Sequence, residues 1–387
     1  MAKTKQTAMD SLRMKALNAY NSMQMPSLRY GIGIYADLAA FNIDEVLQNQ
    51  KDNDWLKVEI DPRVKVINIA SMDENFIREH MEKMLKIDEN KLSALHYAML
   101  NDAVALIIPK NTNIEKPIII NSNCSQKSKS ESIIVLAEEC SKVTILEMAE
   151  SSDGNYYKSQ SVFLFANENS EINYYSLQNL NENTYNFVVK RAEAKKDSMI
   201  KWVDLVLGSR FTQLNMKTDL TENGATTKKL GAFFGNNNQQ FDINVESSHV
   251  KGNTESVMYH RGILQDNAKC IFRGKVSIAK DARNSTGHQK TDILLMGETA
   301  KCDAVPVLDV QNDEVVCSHG VTVGQLDPEQ IFYLLSRGLD EEAAKQMLIL
   351  GFLDPVMREI NNEDARNKFT KIINKKLKVA EVSNVTN

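Results

Sequence analysis

The sequence predicts a mainly β chain in which a long, repetitive β region lies between two helical regions. Three observations carry this expectation. From about residue 117 to 316, short runs rich in β-branched and aromatic residues recur at intervals of roughly 10 to 15, with Asn, Gly, Asp or Ser between them. No amphipathic helical pattern separates these runs, whereas helical patterns do occupy both flanks. Asn-Gly and Asp-Gly pairs, the strongest hairpin signal, are few, with Asn223-Gly224 and Asp153-Gly154 as candidates. Such a chain can form a sandwich, a barrel or a solenoid. The scarcity of hairpin turns, together with flanking helices able to cap the open ends of a coil, tilts the reading toward a solenoid and leaves a sandwich open.

Along the chain, helical patterns cover 9–23, 73–85 and 89–101, interrupted by Pro26, Gly31 and Gly33. Gly31-Ile32-Gly33-Ile34-Tyr35-Ala36 matches a dinucleotide fingerprint in letters only. No buried strand precedes it and no βαβ alternation follows, so no nucleotide site is expected there. Strand-like runs follow at 118–120, 132–136, 143–147, 161–165, 172–175, 187–190, 200–206, 213–220, 241–245, 256–259, 268–278 and 291–296. His249, His260 and His288 fall in this zone without ligand-like spacing and read as residues on the coil faces. Beyond it, Asp327 is placed to cap a helix with Pro328 in its first turn and Gln330 three residues after the cap, and Gly338 ends that helix. Lys371, Lys375, Lys376 and Lys378 read as the solvated face of a terminal helix.

Composition narrows the function classes. The chain has 387 residues, 46 Lys plus Arg against 51 Asp plus Glu, and a net charge of −5, which gives no footprint for nucleic acid or an anionic membrane. The longest apolar runs, 103–108 and 347–353, are too short to span a bilayer, and MAKTKQTAMD lacks an apolar core of signal-peptide length. A cytoplasmic protein is expected. The five cysteines at 124, 140, 270, 302 and 317 are odd in number, widely spaced and contain no CxxC pair, which argues against a disulfide framework or a zinc ribbon. The absence of a G-x-x-x-x-G-K-[ST] loop implies that the chain does not hydrolyse ATP itself.

The candidate site is a Cys-x-His pair. In an extended strand residues two apart share a face, so Cys317 and His319 present a thiol and an imidazole side by side just before the capped helix. Taken alone, Cys317 reads as a small buried hydrophobe and His319 as a hydrogen-bonded structural histidine. Taken together, thiolate and imidazole are both acceptable to iron. Two ligands are too few for a complete site, so a metal or cluster role requires residues from another chain.

The stretch 315–338, with Cys317-Ser318-His319-Gly320, Gly324-Gln325-Leu326-Asp327, Phe332-Tyr333-Leu334 and Ser336-Arg337-Gly338, closely resembles the C-terminal signature of the SufB/SufD family of iron–sulfur cluster assembly scaffolds. Weaker similarity runs through 14–20, Met25-Pro26-Ser27, Arg29-Tyr30, 95–102, Ile107-Ile108-Pro109, Lys116-Pro117-Ile118, 272–276 and 282–295. The resemblance implies a right-handed parallel β-helix over 111–320, between an N-terminal helical region at 1–110 and a C-terminal one at 321–387. Gly320 stands where SufB-type chains carry an acidic residue. Cys302 does not fall on the SufB-type cysteine position, which lies nearer Ala300, and both departures point to the SufD type.

The resemblance further implies a non-enzymatic scaffold subunit that pairs with a SufB-like chain or a second copy of itself. Such chains dock a SufC-like ABC ATPase through their C-terminal helices. It makes His319 and Cys317 candidate ligands for iron or a transient iron–sulfur cluster at a dimer interface, with Cys302 a further candidate. Phe332, Tyr333, Leu334, Arg337 and Met347 become candidate partner-binding residues. The alternative is a polysaccharide-active enzyme or carbohydrate-binding solenoid. The enzyme form needs clustered carboxylates on one coil face, for which Asp292, Asp303 and Asp309 are candidates.

Overall fold

The structure is a computed structural model that describes residues 7–26, 29–36, 56–125, 128–360 and 362–384. It is mainly β, with 47% strand and 22% helix, and its centre is a parallel β-solenoid of about 8 turns. Each coil contributes one strand to each of two nine-stranded sheets. The first sheet orders β20(Val315–Gln325), β18(Ser285–Leu295), β16(Glu255–Leu264), β14(Thr226–Gly235), β12(Met199–Val206), β10(Glu171–Asn179), β8(Lys142–Glu150), β6(Ile118–Asn121) and β3(Lys57–Glu59). The second orders β19(Lys301–Val310), β17(Lys269–Ile278), β15(Gln240–His249), β13(Phe211–Leu220), β11(Thr184–Ala194), β9(Tyr156–Ala166), β7(Ser128–Ala137), β5(Asp102–Ile108) and β4(Lys65–Asn68).

The two candidate hairpins are not hairpins. Asn223-Gly224 and Asp153-Gly154 lie at corners where the chain leaves one sheet for the other, and the strands on either side pair in parallel with neighbouring coils. The ambiguity is physical, because the left-handed conformation that suits a tight hairpin also suits a solenoid corner. Asn111, Cys140, Asn169, Asp197, Asn253 and Asn284 occupy equivalent corners, all with φ between 53° and 56°. These residues stack by backbone bonds from coil to coil, such as Asn169 N–H to the Lys196 carbonyl at 3.0 Å.

The inward faces of the two sheets form one core that includes Ile145, Tyr174, Trp202, Phe233, Phe241 and Phe272. Part of each sheet's outer face is covered as well. Helices α1(Ala8–Ser22), α2(Glu74–Ile77) and α3(Lys91–Ala98) pack with Ile134, Phe163 and Phe165 of the second sheet. Beyond β20, α4(Pro328–Ser336) is followed by α5(Glu341–Met357) and α6(Glu363–Asn384), and Ile349, Leu353, Phe369 and Ile373 pack on Tyr175, Val203 and Phe234 of the first sheet. The helices therefore clothe the faces of the solenoid and do not plug its ends. At the N-terminal end the antiparallel strands β3 and β4 extend the two sheets. At the C-terminal end β19 and β20 each have a strand partner on one side only among the described residues.

Residues 29–36 form an antiparallel pair, β1(Arg29–Tyr30) with β2(Ile34–Tyr35), and not the strand-to-helix turn of a Rossmann fingerprint. One local reading is corrected. Lys376 is not part of a solvated face: its Nζ lies 2.9 Å from Asn236 Oδ1 and 2.8 Å from Gln239 Oε1, and burial pulls its pKa down to about 7. Lys371 and Lys375 are exposed, and the side chain of Lys378 lies outside the described residues, as do residues 1–6 and Ser27.

Candidate functional site

The Cys-x-His pair lies on the last strand of the solenoid. Within β20 the register sets Cys317 against Gly287 and His319 against Gln289 of β18. A Cβ at Gly287 would lie 3.7 Å from Cys317 Sγ, so Cys317 stacks on the inward face, and alternation places His319 on that face too. The shared face expected from the spacing is therefore present. His319 ends an inward lateral column that runs Tyr174, Trp202, Lys229, Met258, Gln289, His319. It is exposed because, among the described residues, no further coil stacks on it.

Cys302 occupies the same end from the other sheet. It pairs in register with Cys270 of β17, and the two thiols are hydrogen-bonded. Burial, with Cys302 beside it, holds the Cys270 thiol well above the usual range. Burial also raises the Cys317 thiol, opposed by a backbone hydrogen bond from Gly287. In this chain alone both are therefore neutral thiols at pH 7, and a thiolate ligand would need a cation to draw off its proton. Among the described residues no group of three or more His, Cys, Asp or Glu is placed to hold a metal ion.

The cross-section around these groups is apolar. Ala304, Leu308, Val315 and Cys317 are only partly buried although they pack on the core, and Val310, Val321 and Val323 are exposed. On the outward faces of the same strands Val305 and Val307 are exposed and Val316 is 61% exposed. A solenoid cut across its core leaves apolar surface and unpaired strand edges together.

The C-terminal helices present a second surface. Asp327 caps α4 by accepting the Glu329 N–H at 2.9 Å, and Gly338, with φ 92°, ends it. No residue of α4 is buried: Phe332 is 72% exposed, Tyr333 and Leu335 are exposed, and Leu334 is half-buried. Arg337 places its guanidinium 5.2 Å from the Tyr333 ring centre, and Met347 of α5 is exposed. A cavity of about 370 Å³ between these helices and the solenoid is lined by Leu295, Met296, Ile331, Glu342, Lys345 and Asn374 among others. Leu335 and this cavity were not legible in the sequence.

The carboxylates required by the sugar-active alternative are not brought together. Asp292 lies on β18 near Arg261 (3.8 Å) and Lys290 (3.5 Å), whereas Asp303 and Asp309 lie on β19 in the other sheet, with Asp309 3.6 Å from Lys275. The other histidines are structural in their contacts. His249 bonds Thr254 and Ser256 at 2.7 and 2.8 Å, His260 is buried against the Phe272 ring, and His288 meets Ser318 Oγ at 2.6 Å. No described helix is long and apolar enough to cross a membrane.

The family model for the SUF system FeS cluster assembly, SufBD core domain, matches residues 118–352. The iron–sulfur cluster assembly protein SufD of Bacillus subtilis is 26% identical over 358 residues, covering 87% of this chain and 80% of that protein. SufB of the same organism is 27% identical over 297 residues, and a SufBD family protein of Staphylococcus epidermidis is 28% identical over 297. Each of these two alignments covers 76% of this chain and 64% of the relative, so the chain spans just under two thirds of their length. With more than half of its residues matched by that model, the chain belongs to the SufB/SufD family of iron–sulfur cluster assembly proteins and is SufD-like.

Proposed function

We propose that this chain is a non-enzymatic scaffold subunit whose open final coil pairs with the final coil of a second SufBD-type chain, either a SufB-like protein or another copy of itself. Iron or a nascent cluster would be received at that junction. The observation that carries this reading is the coil end, where inward-facing His319, Cys317 and Cys302 stand among exposed valines beside two strands that, among the described residues, are paired on one side only. A second solenoid end supplies both a strand edge and an apolar cross-section, and it brings the additional ligands that two or three groups cannot provide. His319 is the leading ligand, since its imidazole is exposed at the coil end, whereas Cys317 and Cys302 are partly buried and take supporting roles. Cluster and iron are cargo, and no nucleotide is bound by this chain.

On the same reading, the C-terminal helices dock a SufC-like ABC ATPase through Phe332, Tyr333 and Met347, with Leu334 and Arg337 shaping the surface. Exposed aromatic side chains on one short capped helix are the type of anchor that carries interface energy. The protein acts in the cytoplasm in this account, away from membrane and nucleic acid.

The pairing is tested by light scattering at micromolar concentration. The isolated chain is expected at twice its monomer mass, and Val321→Asp, which puts a carboxylate into the apolar cross-section, is expected to shift it to monomer with its circular dichroism retained. A wild-type chain that is monomeric both alone and with a SufB-like partner contradicts the proposal.

A further inference from the structure

We propose that Gln289 is the positioning residue for His319, its amide turning to accept the imidazole N–H so that the other ring nitrogen faces the metal. This inference rests on the reading of His319 as a ligand. It begins from the register: Gln289 is the lateral partner of His319, one coil inward on the same inward-facing column. Side chains so related in a parallel sheet stand about 5 Å apart, within reach of one another. Gln289 is 6% exposed, and neither its Oε1 nor its Nε2 has a hydrogen-bond partner.

A buried amide with both ends unpaired is a cost that native structures rarely leave without a reason. The lumen at this level is also shaped around it. Across from Gln289 stands Gly274 of β17, where an added Cβ would lie 2.6 Å from Gln289 Oε1. The amide thus rests in space that a side chain on the second sheet would fill, directly beneath the final coil. Metal-bound histidines almost always give their second ring N–H to an acceptor that fixes tautomer and ring orientation. On the inward column, Gln289 is the next residue able to do so, because Cys317 stacks on Gly287 and Val321 on Thr291. His288, the neighbour of Gln289 in sequence, is engaged with Ser318 on the outward face.

The test uses the full-length protein in its purified assembly, with anaerobic cobalt(II) as probe, reading both affinity and ligand-field absorption. Gln289→Met keeps the volume, removes the acceptor and is expected to weaken cobalt binding 10- to 100-fold, with altered absorption bands. Gln289→Glu, which retains an acceptor oxygen, is expected to restore binding to within a few-fold of wild type. Thermal melting of Gln289→Met at or above the wild-type temperature separates this effect from unfolding. Wild-type affinity and spectrum in Gln289→Met, while His319→Ala loses binding, overturns the positioning role and leaves the ligand assignment standing. Wild-type binding in His319→Ala overturns both.

Discussion

Replacing Glu131 by alanine is expected to cost about 3 to 5 kcal/mol, the penalty for breaking a buried ion pair from one side. Glu131 is completely buried near the N-terminal end of the solenoid core, between Lys129 Nζ at 2.9 Å and Lys158 Nζ at 2.7 Å, and it accepts from Gln160 at 2.7 Å and from Ser122. Burial alone would raise its pKa. Lys129 and Lys158 overcome that and hold the carboxyl well below its usual range. Removing it takes away the carboxylate that both lysines, 3% and 1% exposed, are paired with. Denaturant titration checks this, and the contrast with Glu139→Ala is informative: that residue pairs with Lys110 at the surface, where the expected change is below about 1 kcal/mol. Equal effects from the two substitutions would refute the argument from burial.

Acid is expected to destabilise the protein sharply between pH 6.5 and about 4, ahead of most carboxylate titration. Burial depresses the pKa of His96 to about 3, of His260 to about 3 and of His249 to about 4. His96 is caged by the hydroxyls of Ser159 (2.9 Å), Ser161 (3.1 Å), Ser130 (3.1 Å) and Ser132 (3.2 Å). In the unfolded chain each histidine titrates near 6.5. Between these values the unfolded state binds more protons than the native state, so stability rises with pH across the window. The contribution is complete about one pH unit above 6.5 and is lost as pH falls toward the folded values. Below 6.5 each site approaches about 1.4 kcal/mol per pH unit, so three sites lose roughly 5 kcal/mol between pH 6.5 and 5, comparable to the net stability of many domains. Denaturation midpoints measured at pH 7 and pH 5 check this. His96→Gln is expected to reduce the slope by about a third, and an unchanged midpoint at pH 5 contradicts it.

The legible parts of the fold were those where local chemistry and tertiary role agree. The capped α4, the Cys-x-His spacing and most strands could be read because each depends on residues a few positions apart. Thr226–Gly235 is not legible as a strand because TTKKLGAFFG lacks the polar–apolar alternation of a half-exposed strand. It is buried on both faces, and Lys229, fully inside, bonds Ser247 Oγ at 2.5 Å and the Glu246 carbonyl at 2.8 Å. The short antiparallel strands β3 and β4 are not legible for another reason, since their partners lie 36 to 64 residues away in the registers Asn68 to Val104 and Lys57 to Asn121. For the site, spacing placed Cys317 and His319 on one face. Nothing local reveals that theirs is the last coil and that Gln289 lies beneath, because both follow from register between strands about 30 residues apart.

The central claim is that His319 at the open coil end receives iron or a nascent cluster in an assembled complex. It is tested most directly by purifying the complex anaerobically from cells with wild-type chain or with His319→Ala and assaying bound iron and acid-labile sulfide per complex. The account predicts that the variant folds, retains its partner chain and ATPase, and carries several-fold less of both. An intact His319→Ala complex with wild-type iron and sulfide would contradict it.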